Sequence, residues 1–407
     1  MDNYQEISIW GYQNADKNPD EEYLRRYKAP GTVHTGLKIN PIFKGERSSK
    51  TFELFLVPIS EILSLDSAVN DNSKEILKLT SDLPGIASNQ LFNNTLVSEI
   101  LSTNEIEDVK TTSQEVEDAI SNIDSKRQIR LQSFARMYFK IKNQEKPEIK
   151  TLDDIRNIYD YLLKGEISED KLPDGKLFRN SYARIGNEIK TVHLPKTHEN
   201  EFLPDLLEWI RFINSNQLSL FKAFIAHYYF EYIHPFNDGN GRAGRYIACV
   251  YLGYKFDPLT AIIFSSEINN NRKDYYKAFV DVENPKNYGE ITFFVDRMLK
   301  ILVKGQKKLI KDLSDKKNLL GYGQAKIEKK YSDLEADCLF LYYQAFLFND
   351  SGFGIEDREL KKYISAPKTG VRRCIDKLTS EGRLKITKKS PITRKLTSDF
   401  VDELINY

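Results

Sequence analysis

The chain has 407 residues, more than one hydrophobic core usually holds, so two or three domains are expected. Lys and Arg number 60 against 59 Asp and Glu, and a net charge of +1 excludes nucleic-acid or membrane binding driven by overall charge. Cys249, Cys338 and Cys374 are odd in number and lack metal-ligand spacing, and no apolar run approaches spanning length, so the sequence reads as a soluble cytoplasmic protein with reduced thiols.

Residues 1–50 are polar with Trp10, Tyr12 and other aromatics interspersed, and read as an irregular or partly strand-like opening. From Thr51 to about Leu83 a helix is predicted, because Phe52, Phe55, Leu56, Ile59, Ile62 and Leu63 recur at helical spacing before Pro84-Gly85 interrupts. A second helix runs from about Ser88 to Ile100, with Leu91, Phe92, Leu96 and Ile100 on its buried face. It leads into an acidic stretch whose Glu105, Glu107 and Asp108 would by themselves be solvated surface. Thr112 to about Asn143 reads as two helices, and Leu152 to Leu163 as another, closed by the turn Leu172-Pro173-Asp174-Gly175. Ile185-Gly186-Asn187-Glu188-Ile189 sets two β-prone pieces around a Gly-Asn turn and predicts a hairpin. Phe202 to Ile213 and Leu218 to Ile233 read as helices.

The chain is organised around His234-Pro235-Phe236-Asn237-Asp238-Gly239-Asn240-Gly241-Arg242-Ala243-Gly244-Arg245. Helical spacing stops before this stretch and resumes after it through Ile247, Val250 and Tyr251. A loop of Asn, Asp and Gly running into a helix start presents backbone N–H groups to one point, which suits a phosphate. Arg242 and Arg245, three apart, share a helix face. Asp238 offers the single carboxylate that a phosphate-bound Mg²⁺ takes from protein. His234 is the side chain there able to accept a proton near neutral pH. A plain turn would explain the glycines and Asn237, but has no use for His234, Arg242 and Arg245 together. Lys304–Lys330, with Gly321 and Gly323, reads as a charged helix end plus linker.

This stretch resembles the signature of Fic-domain proteins, His-x-Phe-x-(Asp/Glu)-Gly-Asn-Gly-Arg-x-x-Arg, at every position. The resemblance implies transfer of AMP from ATP to a Tyr, Ser or Thr hydroxyl of a target protein, with ATP and Mg²⁺ required. It implies His234 as general base, Asp238 as the Mg²⁺ ligand, and Gly239, Asn240, Gly241, Arg242 and Arg245 as the phosphate cradle. Phe236 corresponds to the family's inward-packing residue. The phosphate-transferring branch usually carries Lys where this chain has Gly241, which favours AMP transfer. Tyr276 and Phe279 correspond to residues bordering the adenosine, and Lys190, Thr191 and Val192 to the contact edge of a flap that holds the target. The stretch 103–108 is similar to the inhibitory motif of self-restraining relatives, with Thr103 and Glu107 in the key places and Asp108 where Gly or Asn is usual.

Past Ser332 the pattern resembles a winged-helix domain. Leu334 to Tyr342, Asp357 to Ile364 and Ala366 to Glu381 give three helices, followed by a hairpin through Arg383–Ile386 and Arg394–Leu396. Lys368, Arg372, Arg373, Lys377, Lys388, Lys389 and Arg394 form a basic footprint for DNA phosphates, or the module docks a protein or a second copy as a homodimer. The expected class is mainly α: a Fic helical core with a small β-hairpin flap, plus a C-terminal winged helix. The expected boundaries are an N-terminal region with the inhibitory helix over 1–128, the Fic core over 129–305, a linker over 306–331 and the winged helix over 332–407. The alternative function is a DNA-binding transcriptional regulator whose Fic site is vestigial or only senses nucleotide.

Overall fold

The computed structural model describes residues 4–43, 45–145, 148–186, 191–215, 219–349 and 354–405. It is 64% helix, which makes the class mainly α as expected. In chain order the elements begin with α1 (Ile7–Gln13), α2 (Pro19–Tyr27), β1 (Val33–Ile39), β2 (Ile42–Phe43), β3 (Glu46–Arg47) and β4 (Phe52–Leu56). Next come α3 (Ser60–Ser81), α4 (Gly85–Ile106), α5 (Ser113–Ser121), α6 (Gln132–Lys142) and α7 (Leu152–Leu162). A short antiparallel pair, β5 (Ile185–Gly186) and β6 (Thr191–His193), precedes α8 (Glu199–Asn214), α9 (Ser219–Ile233) and α10 (Asn240–Lys255). Then follow α11 (Pro258–Ile262), α12 (Phe264–Asn270), α13 (Arg272–Val282) and α14 (Thr292–Lys330). The C-terminal part holds α15 (Asp333–Phe348), β7 (Ile355–Glu356), α16 (Asp357–Leu360), α17 (Lys368–Ser380), β8 (Leu384–Lys389), β9 (Ile392–Leu396) and α18 (Ser398–Ile405).

The chain divides into two compact units, 1–73 with 98–306 and 74–97 with 307–407. In the first, α9 is apolar all round: Phe221, Phe224, Ile225, Tyr228, Tyr229 and Phe230 are all buried. Such a helix must be covered on every side, and α8 and α10 pack against it. Local chemistry sets several helix starts. Thr151 and Asp154 form a reciprocal capping box at α7, and Thr112 with Glu115 does the same at α5. The opening residues are partly strand-like, as expected, but two helices come first; then β1 pairs antiparallel with β4 from Val33↔Leu56 to Ile39↔Phe52.

The expected helix from Thr51 begins instead as strand β4. Its Leu54, Phe55 and Leu56 are all fully buried, so the strand is covered on both faces, and a continuous apolar run of that kind mimics helical spacing. The far edge of β4 is also used: Phe55 donates its N–H to Gly289 O at 3.2 Å and accepts from Ile291 at 2.9 Å.

In the second unit, the stretch expected as a linker is helical without interruption to Lys330. Gly323 there answers to packing rather than flexibility, since a Cβ on it would run into the Tyr343 ring. The sheet has the order β7-β9-β8, all antiparallel, and α17 turns Val371, Cys374, Ile375 and Leu378 inward. Two members of the expected basic footprint already have carboxylate partners within this unit. Arg394, on the central strand, is buried and paired with Asp357 and Asp376, and Lys377 pairs with Glu335.

Candidate active site

The site is the turn between α9 and α10. Pro235 cannot continue α9, and His234 takes a left-handed φ of 52° while its N–H still closes on Phe230 O at 3.0 Å. A non-glycine residue held there needs a rigid surround, and Arg179 supplies it. Its fully buried guanidinium donates to the carbonyls of His234 (2.6 Å), Lys196 (2.6 Å), Ser181 (2.9 Å) and Thr197 (3.0 Å), and its own N–H donates to Pro235 O at 2.9 Å. Asn240 closes the loop from the other end, accepting from Phe236 N–H at 2.9 Å and donating to Phe236 O at 2.7 Å. Phe236 is fully buried, and the Tyr159 ring stacks on it with centroids 3.7 Å apart. The Tyr159 hydroxyl donates to Asp238 O at 3.0 Å.

Gly239 caps α10 at φ 81°, where a Cβ would also collide with Leu163. The first bond back into the turn is Ala243 N–H to Gly239 O, 3.0 Å, so the N–H groups of Asn240, Gly241 and Arg242 have no intrahelical acceptor. Arg242 is 0% exposed, and among the described residues none of its three guanidinium nitrogens makes a hydrogen bond. Its ion-pair contact is Asp238, 3.6 Å away, whose other oxygen lies 3.3 Å from Lys171. Burial works against the charge on Arg242 and lowers its pKa.

Arg245 has the opposite surroundings. It donates to Thr103 Oγ1, Thr103 O and Glu107 Oε1, all at 2.9 Å. Burial opposes its charge, but Glu107, Tyr275 and Glu231 together raise its pKa. Glu107 stands just past α4, where Val109 N–H reaches Asn104 O and Asp108 N–H reaches Glu105 O, the two bonds of a Schellman stop. Asp108 occupies the left-handed position of that stop at φ 55°, a conformation Asp tolerates better than most residues, so it serves where Gly or Asn is usual. The Glu107 carboxylate lies so close over Gly241 that any Cβ there would overlap it. A second carboxylate, Glu231 on α9, packs against Gly244 in the same way. Burial and the charge of Glu107 push its pKa up to about 8 although Arg245 pulls it down, and its buried Oε1 makes no hydrogen bond.

Burial, reinforced by the nearby His193 and Arg179, pushes the pKa of His234 down to about 3, so the imidazole is neutral at pH 7. Its Nδ1 makes no hydrogen bond among the described residues. Of the flap residues, Lys190 lies outside the described residues, while Thr191 and Val192 are in β6. The next residue, His193, anchors that strand, with its ring nitrogens 2.8 Å from Glu283 Oε2 and 2.6 Å from Tyr232 O. Tyr276 is 48% exposed with its hydroxyl 3.4 Å from Ile106 O, at the end of α4. Phe279 instead packs into an aromatic cluster with Tyr228, Tyr275 and Phe294. A separate cavity of about 280 Å³, lined by Trp209, Lys222, His227 and Tyr251 among others, contains none of the motif's charged residues.

Asp238 is a single carboxylate beside an anion cradle, and no group of three or more His, Cys, Asp or Glu among the described residues could hold a metal. That donor set fits a Mg²⁺ whose other ligands are phosphates and water. Sequence reasoning misses Arg179, Lys171, Tyr159 and Glu231. Of these Tyr159 and Glu231 lie within helices that the spacing predicts, which gives neither of them a role. Among the described residues no helix is long and apolar enough to cross a membrane.

Residues 150–252 match the family model described as Fic/DOC family. Solved structures with a similar chain include a Fic family protein from Desulfovibrio desulfuricans G20 (19% identity, 84% of this chain and 97% of that one, TM-score 0.49). Another is a Fic domain containing signaling protein from Bacteroides thetaiotaomicron VPI-5482 (16% identity, 63% and 97%, TM-score 0.41). A third is a fragment of Fic-1 from C. elegans (16% identity, 62% and 74%, TM-score 0.39). Fic domains in general transfer AMP or other nucleotidyl groups to proteins, using ATP and a divalent metal. The helix, loop and helix that bring His234, Asp238, Arg242 and Arg245 together lie within the residues that match the Fic/DOC family model.

Proposed function

We propose that the chain is a protein adenylyltransferase that moves AMP from ATP to a Tyr, Ser or Thr hydroxyl of a target protein, and that Glu107 restrains it. The observation that supports this most is Arg242, a buried guanidinium with no hydrogen-bond acceptor beside the free N–H groups of a helix start. Leaving such donors unmade costs more than the ~1–3 kcal/mol of a neutral group, and a polyphosphate is the ligand that repays all of them. The cradle orients the phosphates, and neutral His234 takes the proton of the incoming hydroxyl. The hydroxyl oxygen bonds to the α-phosphorus as the bond from that phosphorus to the bridging oxygen breaks, and pyrophosphate leaves. Asp238 would hold the Mg²⁺ that arrives with ATP, which supplies neutralisation of phosphate charge. Lys171, 55% exposed, is free to swing off Asp238 for that purpose. Tyr276 borders the adenosine, with Phe279 behind it in the core, and Thr191 and Val192 offer the target an edge for strand addition.

Restraint follows from the ion pair. Arg245 cannot give its Nε and Nη2 donors to an outer phosphate while Thr103 and Glu107 hold them. Keeping a site shut 99% of the time needs only ~2.7 kcal/mol, which one partly buried charge pair can supply. The test is ATP labelled at either the α or the γ position, given to wild type and to Glu107→Gly. Protein should retain the α label and not the γ label, with up to ~100-fold more in the variant. Retention of the γ label would replace AMP transfer by phosphate transfer. No retention of either label by Glu107→Gly, on itself or on lysate proteins, would leave a nucleotide-sensing site.

A further inference from the structure

The net charge of +1 conceals a local excess. Residues 368–397 hold ten Lys and Arg against two Asp and Glu. The structure sorts these cations into two kinds. Lys377, Arg383 and Arg394 face carboxylates of Glu335, Glu403, Asp357 and Asp376. Among the described residues Lys368, Arg373, Lys385, Lys388, Lys389 and Lys395 face none, and Arg372, 80% exposed, has only a 3.9 Å contact with Asp376. Asp376 in turn binds Arg394 at 2.8 Å, so little of its charge is left to Arg372.

The unpaired cations sit on adjoining elements. Three are on the first half of α17, whose opposite face packs inward, and the rest are on β8 and β9, with α17 packed against β8. Their register is unfavourable as it stands. Lys385 lies directly across from Lys395 in the antiparallel ladder, and like charges so placed repel. Beside them the hairpin exposes Ile386 (49%) and Ile392 (40%). An anion with regularly spaced charges relieves the repulsion, and an exposed helix ~10–12 Å across fits a groove ~12 Å wide.

We propose that this face of the C-terminal unit, the first half of α17 with the β8–β9 hairpin, binds the phosphate backbone of duplex DNA. The cations neutralise phosphates on both sides of the groove entered by α17, and Ile386 and Ile392 lie against the sugar and base edges. Lys377 and Arg394 take no part, because they are committed within the fold. Nothing in this binding depends on the adenylyl-transfer reading, so either can fail alone.

The experiment is an anisotropy titration of the full chain with a short fluorescein-labelled duplex of mixed sequence. With about six phosphates neutralised, affinity should fall ~10³-fold between about 50 and 200 mM salt. Arg372→Glu with Arg373→Glu should weaken binding at least about tenfold and flatten the log–log salt slope by about 2. Lys388→Gln with Lys389→Gln should weaken it uniformly, whereas Lys377→Gln should leave it within about twofold. All these side chains are exposed, and unchanged thermal melting of each variant establishes that the fold persists. Absence of duplex binding at low salt would overturn the proposal, as would binding untouched by the Arg372/Arg373 reversal. Tighter binding of polyglutamate or of RNA than of the duplex would overturn it in favour of that partner. An effect of Lys377→Gln as large as that of the wing lysines would overturn the assignment of the face.

Discussion

Arg242 in the first unit and Arg373 in the second both lack a hydrogen-bonded carboxylate, yet they differ in kind. Arg242 is fully buried, and its three nitrogens make no hydrogen bond among the described residues, with only the 3.6 Å ion-pair contact to Asp238 to offset burial. Arg373 is exposed, keeps its hydration, and stands among like charges. A buried unpaired charge is a large local cost that only a specific ligand removes. An exposed one is worth ~1 kcal/mol or less in high dielectric, so it acts only as part of a sum. The cradle should therefore respond steeply to single substitutions, and the basic face should respond gradually to their number.

The steepest response is expected at His234. His234→Ala should lower label incorporation by ~10²–10⁴-fold while ATP still binds, since the phosphate contacts come from α10 and its arginines. A turnover assay with isothermal titration of ATP checks both halves, and substantial turnover in the alanine variant would put the base elsewhere. Arg242→Met tests the comparison directly. Removing a buried guanidinium that makes no hydrogen bond and only a 3.6 Å contact with Asp238 should raise the unfolding free energy of the ligand-free protein by about 1–3 kcal/mol. The same change should weaken nucleotide binding ~10–100-fold. Arg373→Met should move stability by less than about 0.5 kcal/mol. An Arg242→Met protein that is less stable and binds ATP normally would show that Arg242 is structural.

How far the sequence carries this reading differs by region for physical reasons. The His234–Arg245 stretch is legible because its groups lie within one turn and one helix start, so spacing alone sets their convergence. Arg179 is not, because it acts on carbonyls up to 55 residues away, and carbonyls carry no side-chain signature. Glu231 is hidden inside a helix that is apolar on every side, where periodicity gives no orientation. The β4 strand escapes because burial on both faces imitates helical spacing, and the α14 glycines mislead because close packing and flexibility use the same residue. In the C-terminal unit composition reveals the excess of cations, but only the structure separates those already paired from those left over.

The last expected effect concerns the carboxylate that sequence reasoning misses. Glu231 has a pKa near 8 in the folded protein against 4.5 when unfolded, so between those values the unfolded chain has lost a proton that the folded one keeps. Its contribution is thus present at low pH and is lost as pH rises through 8. His227 and His234, both pushed down to about 3 from 6.5, act oppositely: they favour folding above 6.5 and cease to as pH falls towards 3. Between 4.5 and 6.5 the two kinds offset one another, and above 6.5 only the raised carboxylates remain, Glu231 to about 8 and Glu99 to about 7. Each contributes at most ~1.4 kcal/mol per pH unit. Wild type should therefore lose about 2 kcal/mol more than Glu231→Gln between pH 6.5 and 8, read from denaturant unfolding of both proteins at each pH. Glu107 supplies part of the upward shift, so in a Glu107→Gly background the same difference should move to lower pH, with Arg245 left to Glu231 alone. Equal pH dependence in wild type and Glu231→Gln would mean that Glu231 is already ionised beside Arg245 at neutral pH, and that Arg245 is shared between two carboxylates rather than held by one.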